Sequence, residues 1–213
     1  MTRAFLFPLL LVVLGGVTLS VIAGDVLQRD PDELMLRLDR QTRVEARLLA
    51  SWPYVRPAAT VVSRLSGEGL VLGVVAASAA LLVLRRHRDA SILLAGTLSA
   101  WALTGFLKLA FGVARPAAGR PRWAITGYGF PSGHAVVTVV ACGLLALVVG
   151  RQASPGVRLL LGLIVAAVAA AVAAARVVLN AHWLSDVAAG LAAGTLWLGV
   201  VILAASWRER PAS

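Results

Sequence analysis

The sequence predicts an all-α, polytopic membrane protein with six transmembrane helices and one amphipathic interfacial helix between the first and second spans. Three observations lead there. Of the 213 residues, 59% are hydrophobic, against roughly 45–50% in soluble domains, and the mean hydropathy is +0.85. The excess gathers in six runs, most of them near the ~20 residues that a helix needs to cross a hydrocarbon core. Between the first two runs lies the one long polar connection, where a helix-start signal precedes a two-faced repeat. Residues 1–213 read as one integral membrane domain.

The first run is Ala4–Gly24. Arg3 and Val21-Ile22-Ala23 also fit a secretory signal and its cleavage site, but the run is longer than a usual signal core, so a retained span is expected. In the connection Asp25–Glu68, the stretch Asp30-Pro31-Asp32-Glu33 predicts a helix start. Asp30 would be its N-cap, Pro31 would sit in the first turn and Glu33 would be the return partner. Met35, Leu38, Thr42, Ala46 and Leu49 then share one face, and Arg40, Arg43 and Arg47 the other. A helix lying on the membrane surface has this pattern, as does a solvated helix packed on the bundle.

The second span, Gly69–Leu84, is short, with room to extend back toward Val61. The others are Ala90–Phe111, Gly133–Gly150, Val157–Leu179 and Leu184–Trp207. Small residues recur every fourth position in the last two, at Gly162, Ala166, Ala170 and Ala174, and at Gly190 and Gly194. That spacing lets backbones approach closely, although an alanine-rich chain also produces it by composition. Gly190 and Gly194 continue the face of Asp186, so close packing is expected there.

A net charge of +10 raises the question of nucleic acid. The arginines lie between apolar spans and do not build a basic face interleaved with aromatics. The partners expected are the membrane and its anionic head groups, with no nucleic acid. Cys142, the only cysteine, has no internal disulfide partner.

Arg85, Arg86, Arg88, Arg151 and Arg158, with Arg3, Arg208 and Arg210 at the termini, fall on one side of the predicted bundle. That side is taken as cytoplasmic. The opposite side carries more basic residues, Arg120 and Arg122 among them, but three of those belong to the cluster described next. It also gathers Trp52, Tyr54, Trp123, Tyr128 and Trp183, as an interfacial belt would.

Three motifs sit at span ends on that opposite side: Lys108-x6-Arg115-Pro116, Pro131-Ser132-Gly133-His134 and Arg176-x5-His182-x3-Asp186. An Arg, Lys or Asp at a membrane helix centre costs about 2.5–3.5 kcal/mol on insertion scales, so such groups usually form a site. His182 and Asp186 share a helix face. An aspartate there fixes the imidazole tautomer and leaves the other nitrogen free to attack; it could equally be a pair that only stabilises the bundle. Ser132-Gly133 begins a helix whose free N–H groups suit an anion. Lys108 is the only lysine among 20 basic residues. It lies seven residues from Arg115, where Pro116 ends the helix, and it can snorkel to the same interface. Each motif has an ordinary explanation alone. Their coincidence on one face points to a site that grips phosphate.

Together the motifs resemble the signature of the type 2 phosphatidic acid phosphatase superfamily, which also includes glucose-6-phosphatase and vanadium haloperoxidases. The resemblance covers Lys108 to Asp186 and loosely the six-span layout. It implies that Lys108, Arg115 and Arg176 clamp the phosphate, while Ser132 and the Gly133 amide add hydrogen bonds. It also implies that His182 attacks phosphorus to form a phosphohistidine, oriented by Asp186, and that His134 protonates the leaving oxygen and later activates water. Ala175 stands where the family usually has Ser, which removes a supporting hydrogen bond but no main catalytic group. No carboxylate cluster for Mg²⁺ is evident, so fixed cations would replace a metal, and no cofactor is expected. The implied substrate is a lipid phosphate, such as phosphatidic acid, phosphatidylglycerol phosphate or polyprenyl pyrophosphate. The implied location is the cell membrane, with the site on the extracytoplasmic side. A lipid phosphotransferase using the same residues, and an anion transporter, are the competing readings.

Overall fold

The computed structural model describes residues 3–28, 30, 32–116 and 127–207. Among them the chain forms α1 (Arg3–Gln28), α2 (Leu34–Ala50), α3 (Val55–Arg64), a π-helical turn (Leu65–Gly69), α4 (Leu70–Val83), α5 (His87–Phe111), α6 (Gly133–Val149), a 3₁₀ turn (Gly150–Gln152), α7 (Pro155–Val178) and α8 (Leu184–Trp207). No strand occurs among the described residues. Six helical stretches are long and apolar enough to cross a membrane: Phe5–Gln28, Val55–Val83, His87–Phe111, Gly133–Gln152, Pro155–Val178 and Leu184–Ser206. Helices suit these sequences because hydrocarbon offers no partner for backbone N–H and C=O groups, which an α-helix satisfies internally.

The helix ends follow local chemistry. Ser154 caps α7 by accepting the Val157 N–H at 3.4 Å, with Pro155 at the first helical position. At the other end of α7, Asn180 takes a left-handed conformation (φ 54°) and its N–H bonds the Val177 carbonyl at 2.8 Å. Asn tolerates this region better than most residues, and the turn it makes delivers His182. Gly112 (φ 62°) closes α5 four residues after Lys108.

α6 lies at the centre and packs on α5, α7 and α8, while α1 runs along α8. The core joins Leu93 and Ala100 of α5, Val136, Val140, Ala141 and Leu144 of α6, and Ala193 and Leu198 of α8. The outer faces stay apolar, with Leu10, Leu14 and Val17 of α1 and Leu159, Leu160 and Leu163 of α7 exposed. At one end of the bundle the buried Asp89 pairs with Arg86 at 2.8 Å and Arg151 at 3.1 Å. The three motifs occupy the other end.

Several expectations change. The second span reaches back to Val55, past Val61, because α3, the π turn and α4 form one continuous rod. Asp30 is not an N-cap. Its carboxylate accepts the Asp32 N–H at 2.9 Å, making a turn ahead of the helix, and α2 begins only at Leu34, with Glu33 at the cap position and making no side-chain cap bond. Pro31 lies outside the described residues, as do Arg120, Arg122, Trp123, Arg208 and Arg210. The inner face of α2 centres on Asp39 and Ala46, both buried, and takes in Arg43, whereas Leu49 points outward. The cause is a polar partner: Arg43 stacks on the Trp183 ring, 4.9 Å from its centroid. In α7, Gly162, Ala166, Ala170 and Ala174 all face outward, so their spacing there follows composition. In α8 the expectation holds. A Cβ on Gly190 would lie 2.7 Å from the Ser132 carbonyl oxygen, and one on Gly194 would lie 2.9 Å from that of Val136. Only glycine lets α8 press against the first turns of α6.

Candidate active site

The end of α5, the start of α6, the end of α7 and the start of α8 meet at one end of the bundle. All eight residues singled out from the sequence are brought together there. The Ser132 N–H donates to the Asp186 carbonyl at 2.8 Å, tying the start of α6 to the first turn of α8. Lys108 Nζ donates to the carbonyls of Gly129 at 2.8 Å and Tyr128 at 3.2 Å. Its ammonium thereby fastens α5 to the strand-like segment before α6, where Gly129 N–H also bonds the Val113 carbonyl at 2.7 Å. Arg115 Nη1 reaches the Ala181 carbonyl at 3.5 Å. The Arg176 carbonyl accepts from Ala181 N–H at 3.0 Å and His182 N–H at 3.3 Å. Clamps and imidazole are therefore held by one backbone mesh.

His182 Nδ1 lies 3.0 Å from Asp186 Oδ2, with both side chains buried. The same oxygen accepts the Trp183 N–H at 3.0 Å, so the carboxylate is itself fixed. An ionised carboxylate can only accept, which places the proton on Nδ1 and leaves the Nε2 lone pair free. Burial, followed by the positive charges of Arg176, Lys108 and Arg115, holds the His182 imidazole well below its ordinary protonation range. It is therefore neutral near pH 7.

His134, on the first turn of α6, lies within electrostatic reach of His182, Arg176, Arg115 and Lys108. Its Nε2 sits 3.2 Å from where a Cβ on Gly67 would be. One turn earlier on the same rod, Ser63 Oγ meets Arg176 Nη1 at 2.6 Å. Several buried polar atoms here have no protein hydrogen-bond partner among the described residues: Ser132 Oγ, Arg115 Nε, Arg176 Nε and Asp186 Oδ1. Native structures leave few such groups. Three of these four can donate, and donors left over around a cationic cluster are what an anion's oxygens require. Among the described residues no three His, Cys, Asp or Glu side chains are arranged to hold a metal ion.

Sequence reasoning missed three contributors. Ser63 and Gly67 sit at the entry to the second span, in a stretch assigned to the connection, Ser63 in the last turn of α3 and Gly67 within the π turn ahead of α4. Asp39 comes from α2, where its Oδ1 accepts the Ser185 N–H at 2.8 Å and its Oδ2 the Ser185 Oγ–H at 2.6 Å. A carboxylate amid Met35, Leu38 and Thr42 on the apolar face was the available signal. Burial pushes its carboxyl above the usual range, against the pull of the two Ser185 bonds.

Fold and cluster together define a multi-pass helical membrane protein with a cationic, histidine-bearing centre at one end of the bundle. Residues 89–210 match the PAP2 superfamily, and the chain belongs to it. Membership and the six spans support a membrane phosphatase. The fold is shared with a solved structure described as the first transmembrane PAP2-type phosphatidylglycerolphosphate phosphatase, from Bacillus subtilis. The two align with a TM-score of 0.75 over 96% of this chain and 98% of that one, at 20% identity. No curated protein matches the sequence.

Proposed function

We propose that the protein hydrolyses a phosphate monoester or pyrophosphate of a membrane lipid through a phosphohistidine on His182, without a metal. The observation that carries this reading is the buried His182 imidazole, braced by Asp186 at 3.0 Å and lying in the field of Arg176, Lys108 and Arg115. In the first step His182 Nε2 forms a bond to phosphorus as the bond to the lipid oxygen breaks, and His134 gives that oxygen its proton. In the second, His134 takes a proton from water, whose oxygen displaces His182 and releases inorganic phosphate. Lys108, Arg115, Arg176, Ser132 and the Gly133 N–H would hold the equatorial oxygens. Phosphoryl transfer needs mainly such positioning and charge stabilisation, and an arginine fork grips two oxygens at once. The candidate substrates are phosphatidic acid, phosphatidylglycerol phosphate (on which the Bacillus protein's description bears) and polyprenyl pyrophosphate. With Arg85, Arg86, Arg88, Arg151 and Arg158 at the far end of the bundle as the cytoplasmic anchor, the centre would face outward from the cell membrane.

The test is phosphate release by purified protein in detergent from these three lipids with excess EDTA. Release from at least one is expected. No release from any would sink the phosphatase, and a strict need for Mg²⁺ would sink the metal-free step. Label passing to an acceptor lipid in place of water would identify a phosphotransferase.

The state of His182 gives a further expected outcome. The nucleophile must be neutral, and its protonation is held below the ordinary histidine value of about 6.5. The acid limb of kcat/KM should therefore have its half-point below about pH 6.5. A half-point above that, with stable protein, would contradict the assignment.

A further inference from the structure

We propose that Asp39, on helix α2, is a positioning residue that caps helix α8 from outside its own chain segment and so sets the His182–Asp186 pair; this rests on the phosphatase reading above.

α8 starts at Leu184, and Trp183 holds the N-cap position, its carbonyl accepting the first helical bond from Val187 N–H at 3.3 Å. A helix start leaves four N–H groups without helical partners. The usual remedy is reciprocal: an oxygen-bearing side chain at the cap accepts from the second or third helical N–H, and an acid at the third position accepts from the cap's own N–H. Here the second half is present, because Asp186, the third helical residue, accepts the Trp183 N–H at 3.0 Å. The first half cannot come from Trp183, whose indole carries no acceptor oxygen. Asp39 supplies it across 146 residues of sequence, accepting the Ser185 N–H at 2.8 Å and the Ser185 hydroxyl at 2.6 Å. Asp39 is 5% exposed and Ser185 is 2% exposed. The same helix adds a second grip on this turn through Arg43 on the face of Trp183.

The consequence concerns direction more than adhesion. Asp186 is bound to the cap N–H and to His182 Nδ1 through one oxygen, Oδ2. Any tilt or fraying of the first turn of α8 moves that oxygen, and the imidazole moves with it. A small displacement of a nucleophile from in-line geometry lowers the rate steeply. Asp39 touches neither histidine in any described contact, so its effect must pass through Ser185 and Asp186.

The experiment compares Asp39→Ala, Asp39→Asn and Ser185→Ala with the parent, the lipid found active above serving as substrate. Asp39→Ala should lower kcat on the order of tenfold or more, about 1.4 kcal/mol at the transition state, with KM within about twofold. Asp39→Asn keeps an acceptor oxygen and should recover much of the loss, and Ser185→Ala, which removes one of the two bonds, should fall between. A double-mutant cycle supplies the readout that simple loss of packing would not move. In the Asp186→Asn background, Asp39→Ala should cost little further, because its route to His182 is already broken. Wild-type kcat in Asp39→Ala, or full multiplicative losses in the cycle, would overturn the proposal. If Asp39→Ala does not fold, Ser185→Ala carries the same cycle. His182→Ala measured in parallel separates the two levels: wild-type turnover there ends the phosphohistidine reading itself, whereas an inactive His182→Ala beside a fully active Asp39→Ala ends only this one.

Discussion

His182→Ala should lower phosphate release on the order of 10⁴-fold or more, the scale on which enzymes lose turnover when an attacking group is removed. The size follows from the geometry. His182 has the described features of a nucleophile together: a carboxylate 3.0 Å from Nδ1, burial with cations that keep the ring neutral, and a backbone pinned to the Arg176 carbonyl. His134 shares the field of the same cations but has no described carboxylate partner, which suits it to exchange protons rather than to attack. The two histidines should therefore fail differently. Brief exposure of the parent to labelled substrate should leave an acid-labile, alkali-stable phosphoprotein. His182→Ala should show none, while His134→Ala should form it from a substrate with a good leaving group and lose it slowly. Labelling that persists in His182→Ala would move the nucleophile elsewhere.

The parts of this centre legible in the sequence were those fixed by local rules. α8 spans Leu184–Trp207, as its apolar run indicated, and His182 and Asp186 pair because four residues make one helical turn. Pro116 indicated that α5 ends before Arg115, and it does, at Phe111, which lets Lys108 and Arg115 turn toward the same place. Gly190 was legible because its face continued that of a residue already suspected. What escaped depended on a partner distant in sequence. Arg43 looked like one of three solvent-facing arginines until Trp183 arrived beneath it. Asp30 had the composition of a cap and its carboxylate does accept the Asp32 N–H, but the helix itself starts only at Leu34. Asp39 could be placed on the inner face of α2, yet its use depended on a helix start lacking its own acceptor, a deficit visible only once Trp183 is known to hold the cap. Ser63 and Gly67 were hidden because, although the second span had room to extend back toward Val61, polar residues at Arg64, Ser66 and Glu68 gave that stretch the look of the connection and none of a site.

Arg176→Met should lower phosphate release about 10³-fold and leave the melting temperature unchanged or raised. The two halves of this prediction come from one arrangement. Arg176 is 8% exposed, and among the described residues no carboxylate forms an ion pair with it. Its described side-chain partner is the neutral Ser63 hydroxyl, its Nε is unpartnered, and Arg115 is close enough to repel it. A buried charge in that setting opposes folding, and a thioether of similar length would fill the space without the penalty. A phosphate bound at the centre would reverse the balance, since the guanidinium would then face an anion in a dry site, where such a donor is commonly worth two to three orders of magnitude in rate. Arg176→Lys should lie between, because an ammonium keeps the charge but loses the fork and two of the five N–H donors. The comparison needs activity and thermal unfolding measured on the same detergent-purified samples. Loss of activity accompanied by a large fall in melting temperature would show that Arg176 is a structural residue. Activity within about tenfold of the parent would remove it from the phosphate clamp. Retained stability with lost turnover is the signature of a cation kept at the expense of the fold for the sake of its ligand.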